Sequence, residues 1–379
     1  MKDDKIWLSS PHMGGKEIHF INDAFENNWI APLGPNVNGF ENDIQHYLKT
    51  TNGVAALSSG TAALHLALIL AGVSAGDLVI CQTLTFAASA NPITYLNAKP
   101  VFVDSEDLTY NMSPDFLKLA IEGCLATGKK PKAIIAVHLY GMPYQKEAIE
   151  EIAAFYDIPV IEDSAEALGS SYKGQKCGTF GSFGILSFNG NKIITTSGGG
   201  ALVANKERTD KAVFLATQAR DNAPHYQHSQ IGYNYRMSNI CAGIGRGQME
   251  VLDNHVEKRR AVNSFYRSLL QDVEEVIFQS EPDATYFSNF WLTSIRILPN
   301  AKGYTTTDLR LALDAAGIES RPVWKPMHLQ PVFTDCAFYG TDVAENLFNY
   351  GLCLPSGSNL SQEDLNRISD VLSQFFELN

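Results

Sequence analysis

Short apolar segments alternate with helical patterns from about residue 55 to residue 205, and this alternation restricts the fold more than any other feature of the chain. The pattern is typical of βα units arranged around a mostly parallel sheet. It predicts strands at residues 78–82, 100–104, 133–138, 159–163, 185–188 and 201–204. The sequence therefore predicts an α/β fold, in which ligands bind in a crevice at the carboxyl ends of the strands.

Polar residues follow or end four of these strands, at Thr83, Asp104, His138 and Asp163. The carboxyl ends of parallel strands lie along one edge of a sheet. We therefore expect these four side chains to face one site.

The second half of the chain predicts a smaller domain. A helical stretch at 238–272 contains no proline and is expected to connect the two parts, with a large domain at 1–254 and a small one at 255–379. The small domain contains an alternating strand at 290–298, a helix after Thr307, and a terminal helix opened by the capping pattern Ser361 to Asp364.

Composition excludes several classes of function. The formal charge of −12 argues against a general nucleic-acid or anionic-membrane surface, so an anionic ligand must be held by local groups. The sequence shows no apolar segment of signal-peptide or membrane-span length, which predicts a cytoplasmic protein without a membrane partner. Its six cysteines are scattered, without CxxC pairs or a His cluster at ligand spacing, and no metal site is predicted.

The segment 161–192 carries the chemistry, because it contains Asp163 at a strand end and Lys192 between small polar residues. A carbonyl cofactor such as pyridoxal phosphate needs a lysine amine for a Schiff base and a carboxylate that keeps its pyridine nitrogen protonated. A lysine after Asn-Gly-Asn is more commonly a solvated turn residue. Asp163 and the phosphate-type features nearby favour the cofactor interpretation.

The phosphate-type features begin with Ser59, Gly60 and Thr61, which open an apolar helical stretch. Free amides at a helix start favour a phosphate, and glycine permits a close approach, although a simple N-cap is the alternative. Ser187 ends an apolar strand and is predicted to bind the phosphate, unless it is a satisfied buried hydroxyl. Phe86 is predicted to stack on the pyridine ring, unless it is a core residue.

With these motifs the chain resembles the DegT/DnrJ/StrS-type nucleotide-sugar aminotransferases. The resemblance covers nearly the whole chain, in motif order: SSGTAALHLAL, TLTFAASANPI, PVFVD, AVHLYGMP, VIEDSAEALGSSY, GTFGSFGILSFNGNK and GYNYRMSNICAGIG. It implies the aspartate aminotransferase-like (fold type I) architecture of pyridoxal-phosphate-dependent transferases. That architecture has a large domain with a mostly parallel seven-stranded sheet and a smaller C-terminal α+β domain.

The resemblance also implies roles for individual residues. Lys192 would form the Schiff base and shuttle the proton, Asp163 would pair with the pyridine nitrogen, and Phe86 would cover the ring. Glu166 stands near the phenolic oxygen where many members have Gln, and Ser197 to Gly200 replaces a common GEGG pattern.

Four further residues would form the phosphate site of this family. Gly60, Thr61 and Ser187 would hold the phosphate within one chain. Asn234, in GYNYR, matches a residue that reaches the phosphate from the neighbouring subunit. The resemblance therefore implies a homodimer with shared active sites.

Several short segments of the sequence resemble those of one subgroup of the family. These enzymes aminate C4 of UDP-linked 4-keto-6-deoxy-N-acetylglucosamine, with L-glutamate as donor, on the way to N,N'-diacetylbacillosamine. The features are Asn189-Gly190-Asn191 together with WIAPLGPNV, RPVWKPMH and LPSGS. The residues proposed for the nucleotide and sugar are Trp324, Lys325 and His328, with Asn28, Trp29, Ile30, Ala31 and Arg236 as further members. An interdomain packing loop is the alternative for the first three.

Other functions stay open at this point. A dTDP- or GDP-linked substrate and amination at C3 fit the same motifs. A sugar dehydratase of the same fold would carry a histidine in place of Lys192, and a cofactor-binding regulator would lack turnover. Lys192 and the intact Asp163 and phosphate set argue against both.

Overall fold

A computed structural model describes residues 5–378 of the chain. Its strands, in chain order, are β1 Gly53–Leu57, β2 Leu78–Gln82, β3 Lys99–Val103, β4 Ala133–Val137, β5 Val160–Asp163, β6 Ser171–Tyr172, β7 Gln175–Lys176, β8 Phe183–Ser187, β9 Gly200–Ala204, β10 Val276–Phe278, β11 Tyr286–Phe287, β12 Thr293–Ile297, β13 Arg321–Pro322, β14 Ala337–Tyr339 and β15 Gly351–Leu354. Its α-helices are α1 Glu17–Glu26, α2 Pro35–Leu48, α3 Gly60–Leu70, α4 Ala87–Tyr95, α5 Pro114–Ala126, α6 Lys146–Phe155, α7 Lys206–Ala216, α8 Asn239–Met249, α9 Leu252–Leu269, α10 Thr306–Ala315, α11 Val343–Tyr350 and α12 Gln362–Phe376.

The central sheet has eight strands in the order β1-β9-β8-β5-β4-β2-β3-β14. Pairing is parallel from β8 through β14, and β9 runs antiparallel to both β8 and β1. Seven strands come from residues 53–204, as the fold class predicts. The eighth, β14, comes from the C-terminal part of the chain, which returns to pair with β3 at the edge.

Side chains alternate between the two faces of this sheet. In β4, Ile135 packs with α3 and α7 on one face, whereas Ile134 packs with α5 and α6 on the other. Helix α2 covers the second face beside β8 and β9. Both faces are therefore buried under helices, which explains the near-continuous apolar strands.

A second sheet, of four strands, is antiparallel in the order β10-β12-β15-β13. It packs with α9, α10 and α12. Helix α12 begins with the predicted capping box of Ser361 and Asp364, and Ile368 and Leu372 are buried on its inner face. The predicted boundary at residues 254 and 255 falls in the first turn of α9 and stays a prediction.

The predicted single helix at 238–272 is wrong, because the chain forms two helices, α8 and α9, separated at Glu250 and Val251. Three glycines of α8 permit a close contact with neighbouring helices. A β-carbon at Gly247 would lie 2.6 Å from the Glu17 backbone nitrogen in α1. The helical pattern on both sides of the break shows no proline, so the sequence alone did not indicate it.

Candidate active site

A cavity of about 600 Å³ lies at the carboxyl ends of β5 and β8, beside the start of α3. Parallel strands β5 and β8 are direct neighbours, with Asp163 opposite Ile185 in register. Eight of the predicted site residues line this cavity: Gly60, Thr61, Phe86, Asp163, Glu166, Ser187, Lys192 and Trp324.

Lys192 extends into the cavity from the loop between β8 and β9. Its Nζ lies 3.4 Å from Glu166 Oε1 and 4.2 Å from the centre of the Trp291 ring. The preceding residue is held on two sides, because the Asn191 carbonyl accepts hydrogen bonds from Trp291 Nε1 and from Ser9 Oγ, both at 2.7 Å. The backbone beside the lysine is thus fixed by residues distant in sequence.

Arg259 of α9 connects these two supports. Its guanidinium donates to the Trp291 carbonyl and, at 2.9 Å, to Ser9 Oγ. Burial lowers the pKa of Arg259 to about 9. Arg259 does not line the cavity, and it is connected to the Lys192 loop through Ser9 and Trp291.

Asp163 is a buried carboxylate at the last position of β5. It accepts a hydrogen bond from Ser89 Oγ at 2.7 Å and one from the Ala165 N–H at 3.1 Å. Thr85 donates in turn to Ser89, since the single Ser89 proton is used on Asp163. This chain of hydroxyls fixes the orientation of the carboxylate in the cavity.

Glu166 is buried beside Lys192 and accepts a hydrogen bond from the Tyr140 N–H at 2.7 Å. Burial raises the pKa of Glu166 to about 7, although Lys192 and the Tyr140 amide pull it down. The carboxyl group is therefore able to hold or give up a proton near neutral pH.

The start of α3 forms a cradle of the kind that binds phosphate. Ser59 caps the helix by accepting a hydrogen bond from the Ala62 N–H, and the N–H groups of Gly60 and Thr61 lie in the first turn, where no preceding turn supplies a carbonyl. A β-carbon at Gly60 would lie 3.0 Å from Ser187 Cβ. Glycine thus permits the helix start and Ser187 to approach each other.

Two aromatic residues lie at the cavity wall. Phe86 is 56% exposed and its ring centre lies 5.4 Å from that of Trp324. The Trp324 backbone N–H donates a hydrogen bond to Tyr140 Oη, which holds this part of the wall in place.

The remaining predicted residues do not line the cavity of their own chain. Asn28, Trp29 and Ile30 are exposed, Ala31 is half-buried, and Asn234 is exposed at a bridge to Thr217.

The other three have partners or positions outside the cavity. Arg236 is paired with Glu41 and the Ala56 carbonyl, and His328 is bonded to Thr83 and stacked on Phe338 at 3.8 Å. Lys325 is exposed.

The expectation that four strand-end residues share one site is wrong for three of them. Thr83 contacts His328, and Asp104 accepts backbone N–H groups at the start of α11.

His138 donates to buried Glu162, because its other ring nitrogen accepts the Tyr144 N–H. Glu162 also accepts N–H groups of residues 178, 180 and 181, so both side chains have structural partners. The same pair and Cys177 bring three possible metal-ligand atoms within 4.8 Å, an arrangement that the sequence spacing did not indicate.

Several lining residues were not identified from the sequence: Leu8, Ser9, Ser89, Trp291, Glu319 and Arg321. Ser89 had a usable signal, because it lies three residues after Phe86 and thus one turn along the same helix. The others are brought in by tertiary contacts.

The site combines an amine for a Schiff base, a fixed carboxylate and a phosphate cradle, which are the groups that pyridoxal phosphate requires. With this α/β architecture, they define the site of a pyridoxal-phosphate-dependent enzyme. The sequence model of the DegT/DnrJ/EryC1/StrS aminotransferase family matches residues 11–373. The chain belongs to this family.

Known proteins resemble the chain over nearly its full length. It is 51% identical to the putative pyridoxal phosphate-dependent aminotransferase EpsN of Bacillus subtilis, covering 98% of this chain and 96% of that protein. It is 38% identical to the GDP-perosamine synthase of Escherichia coli O157:H7, with 98% of each covered. The PLP form of the putative sugar aminotransferase Spr1654 of Streptococcus pneumoniae superposes with a TM-score of 0.89 at 27% identity, covering 98% of this chain and 99% of that one.

Within residues 5–378, no helix combines the length and apolar character needed to cross a membrane.

Proposed function

We propose that the enzyme transfers the amino group of L-glutamate to C4 of UDP-2-acetamido-4-keto-2,6-dideoxy-D-glucose. Glutamate becomes 2-oxoglutarate, and the sugar ketone becomes the amine of a bacillosamine precursor. The observation that supports transamination most strongly is the Lys192 amine in one cavity with Asp163 and the α3 cradle. We also propose that the enzyme acts in the cytoplasm.

The side chains in the cavity suit this reaction. Pyridoxal phosphate, when bound, supplies the electron sink that stabilises a carbanion. Lys192 Nζ then removes the α-proton of the donor and later delivers a proton to C4 of the sugar, which fixes the stereochemistry of the new amine. Asp163 holds the proton on the ring nitrogen, and Gly60, Thr61 and Ser187 hold the phosphate.

The proposed sugar substrate is supported by the sequence of a segment at the wall of the cavity. Trp324 belongs to the RPVWKPMH segment and lies against Phe86, where a sugar or base can pack on the rings. Lys325 and His328 belong to the same segment but do not line the cavity of their own chain.

We also propose a homodimer with shared sites. Trp29 and Ile30 are 40% and 48% exposed on the isolated chain, and Asn234 is exposed as well. Apolar side chains of this size are typical of contact surfaces. Asn28 to Ala31, Arg236 and Asn234 would then contribute to the cavity of the partner or support its wall.

A second candidate substrate is a GDP-linked 4-keto-6-deoxy sugar. It is favoured by the similarity over 98% of the chain to GDP-perosamine synthase. A dTDP-linked sugar or amination at C3 would use the same residues around Lys192.

A substrate panel separates these candidates. The holoenzyme is incubated with L-glutamate and UDP-, GDP- or dTDP-linked 4-keto-6-deoxy sugars, and the products are identified by NMR. We expect a 4-amino product from the UDP sugar bearing the 2-acetamido group. Amination of the GDP or dTDP sugar alone would contradict the UDP assignment while leaving the aminotransferase class intact.

A further inference from the structure

Charge inside the cavity is unevenly distributed. Of the described residues that line it, three are acidic and two are cationic. The acidic residues are Asp163, Glu166 and Glu319, and the cationic residues are Lys192 and Arg321. Lys192 is committed to the cofactor. Arg321 is therefore the lining cation that remains to bind an anionic group entering beside Lys192.

Arg321 can exchange its present partner, the Glu319 carboxylate, for another carboxylate at little cost. Its Nε and Nη2 donate to one oxygen of Glu319 at 2.9 and 2.6 Å, and its side chain is 67% exposed. Exposed ion pairs contribute little to stability, so the guanidinium loses little when it leaves Glu319 for another carboxylate.

Glu319 is the fixed partner of this pair. Its side chain is 15% exposed, and its second oxygen accepts the Leu8 N–H at 3.1 Å. Burial opposes ionisation of Glu319, but the hydrogen bonds from Leu8 and Arg321 outweigh it and lower the pKa. The Leu8 N–H holds the Glu319 carboxylate in place, whereas the hydrogen bonds of the exposed Arg321 guanidinium all go to Glu319.

The position of Arg321 relates it to the reacting amine. Strand β13 pairs with β15, with Arg321 opposite Cys353, and Cys353 lines the cavity beside Glu166. Glu166 in turn lies 3.4 Å from Lys192 Nζ.

The two substrates differ in how close their charge lies to the reacting carbon. An amino acid carries a carboxylate on the carbon that loses the amine. A nucleotide sugar carries its phosphates on C1, across the ring from C4. A cation in the cavity that contains Lys192 suits the first substrate.

We propose that Arg321 binds a carboxylate of the amino-acid donor, and that Glu319 holds the guanidinium in readiness while the donor is absent. This inference rests on the aminotransferase function and names the group that recognises its donor. A guanidinium matches a carboxylate with two parallel hydrogen bonds, which lysine does not reproduce.

The donor half-reaction tests this assignment without any nucleotide sugar. Holoenzyme is titrated with L-glutamate, and the loss of cofactor absorbance gives an apparent Kd and a saturating rate. Arg321→Gln should raise the Kd roughly 10- to 100-fold, as expected for a lost charge-assisted pair, and Arg321→Lys should give a smaller increase. Glu319→Gln, which can still accept the Leu8 N–H but lacks the charge that competes for Arg321, should lower the Kd.

Donor analogues identify the carboxylate. Wild-type enzyme should prefer glutamate over glutamine or over isoglutamine, whose γ- and α-carboxylates respectively are amides. Arg321→Gln should lose one of these two preferences.

Three results would overturn the proposal. The first is a glutamate Kd in Arg321→Gln within twofold of wild type. The second is an equal increase in Glu319→Gln, which would show that the pair only anchors residues near Leu8. The third is an effect confined to the KM of the nucleotide sugar, which would assign Arg321 to its phosphates. Failure of the wild-type enzyme to react with glutamate would instead contradict the proposed donor, and the amino acid that does react then replaces it in the titration.

Discussion

Glu166 and Lys192 form a buried pair of ionisable groups in the cavity, with 3.4 Å between their charged atoms. The identity of both residues was accessible from the sequence, because they belong to one continuous segment. The raised pKa of the carboxyl group depends on how deeply the fold buries it.

Glu166→Gln should change the pH dependence of stability of the cofactor-free protein. The pKa of Glu166 is about 7 in the folded chain against an ordinary 4.5, so the folded state retains a proton that the unfolded state has released. Stability from this group is complete below pH 4.5 and is lost as pH rises through 7, by at most about 3 kcal/mol.

Urea unfolding of both proteins at pH 5 and pH 8 measures this effect. The free energy of unfolding of the wild type should fall relative to that of Glu166→Gln between the two values. A constant difference would contradict the buried, protonated carboxyl group.

At the scale of elements, strand ends and helix caps were predictable because local patterns specify them. The six strands predicted between residues 78 and 204 lie within two residues of observed ones, whereas the strand predicted at 290–298 begins three residues before β12. The capping box of α12 is present. Strand β1, with the sequence GVAAL, was not predicted, since it has one β-branched residue. The break between α8 and α9, at Glu250 and Val251, carries no local signal of this kind.

The junction between β9 and α3 depends on Gly200, which pairs with both Leu57 and Ser187. A β-carbon there would lie 2.3 Å from the Gly60 nitrogen, so Gly200→Ala must displace the start of α3. We expect a loss of about 1–3 kcal/mol in stability and a roughly tenfold or greater loss in cofactor affinity.

Gly198→Ala is the matched control, because a β-carbon at Gly198 meets nothing within 4 Å although the residue lines the same cavity. Cofactor Kd values are measured by titration of both cofactor-free variants. Equal affinities would show that the α3 start does not hold the phosphate.

At the scale of the whole molecule, the cavity depends on residues far apart in sequence. Ser9 and Trp291 meet at the Asn191 carbonyl, and Arg259 binds them both. Ser9, Asn191 and Trp291 are separated by 100 residues or more and meet only after folding, so no local pattern identified them. Asn234 was selected by resemblance, and its exposure on a single chain fits a role in a partner's cavity.

Mixed dimers test whether two chains share each site. Lys192→Ala and Asn234→Ala subunits are unfolded together and refolded as a mixture. If Asn234 serves the neighbouring cavity, mixed dimers contain one intact site, and activity should return to about one quarter of the wild-type value. No recovery, with mixed dimers demonstrated by mass, would place Asn234 in the cavity of its own chain, and full activity of Asn234→Ala alone would place it outside any site.

The most direct test of the central claim is the covalent attachment of the cofactor to Lys192. Borohydride reduction of the holoenzyme followed by peptide mass spectrometry should find the reduced cofactor on the peptide that contains Lys192. The Lys192→Ala variant should bind cofactor, gain no such mass and show no turnover. Attachment to another lysine, or normal turnover by the variant, would contradict the account.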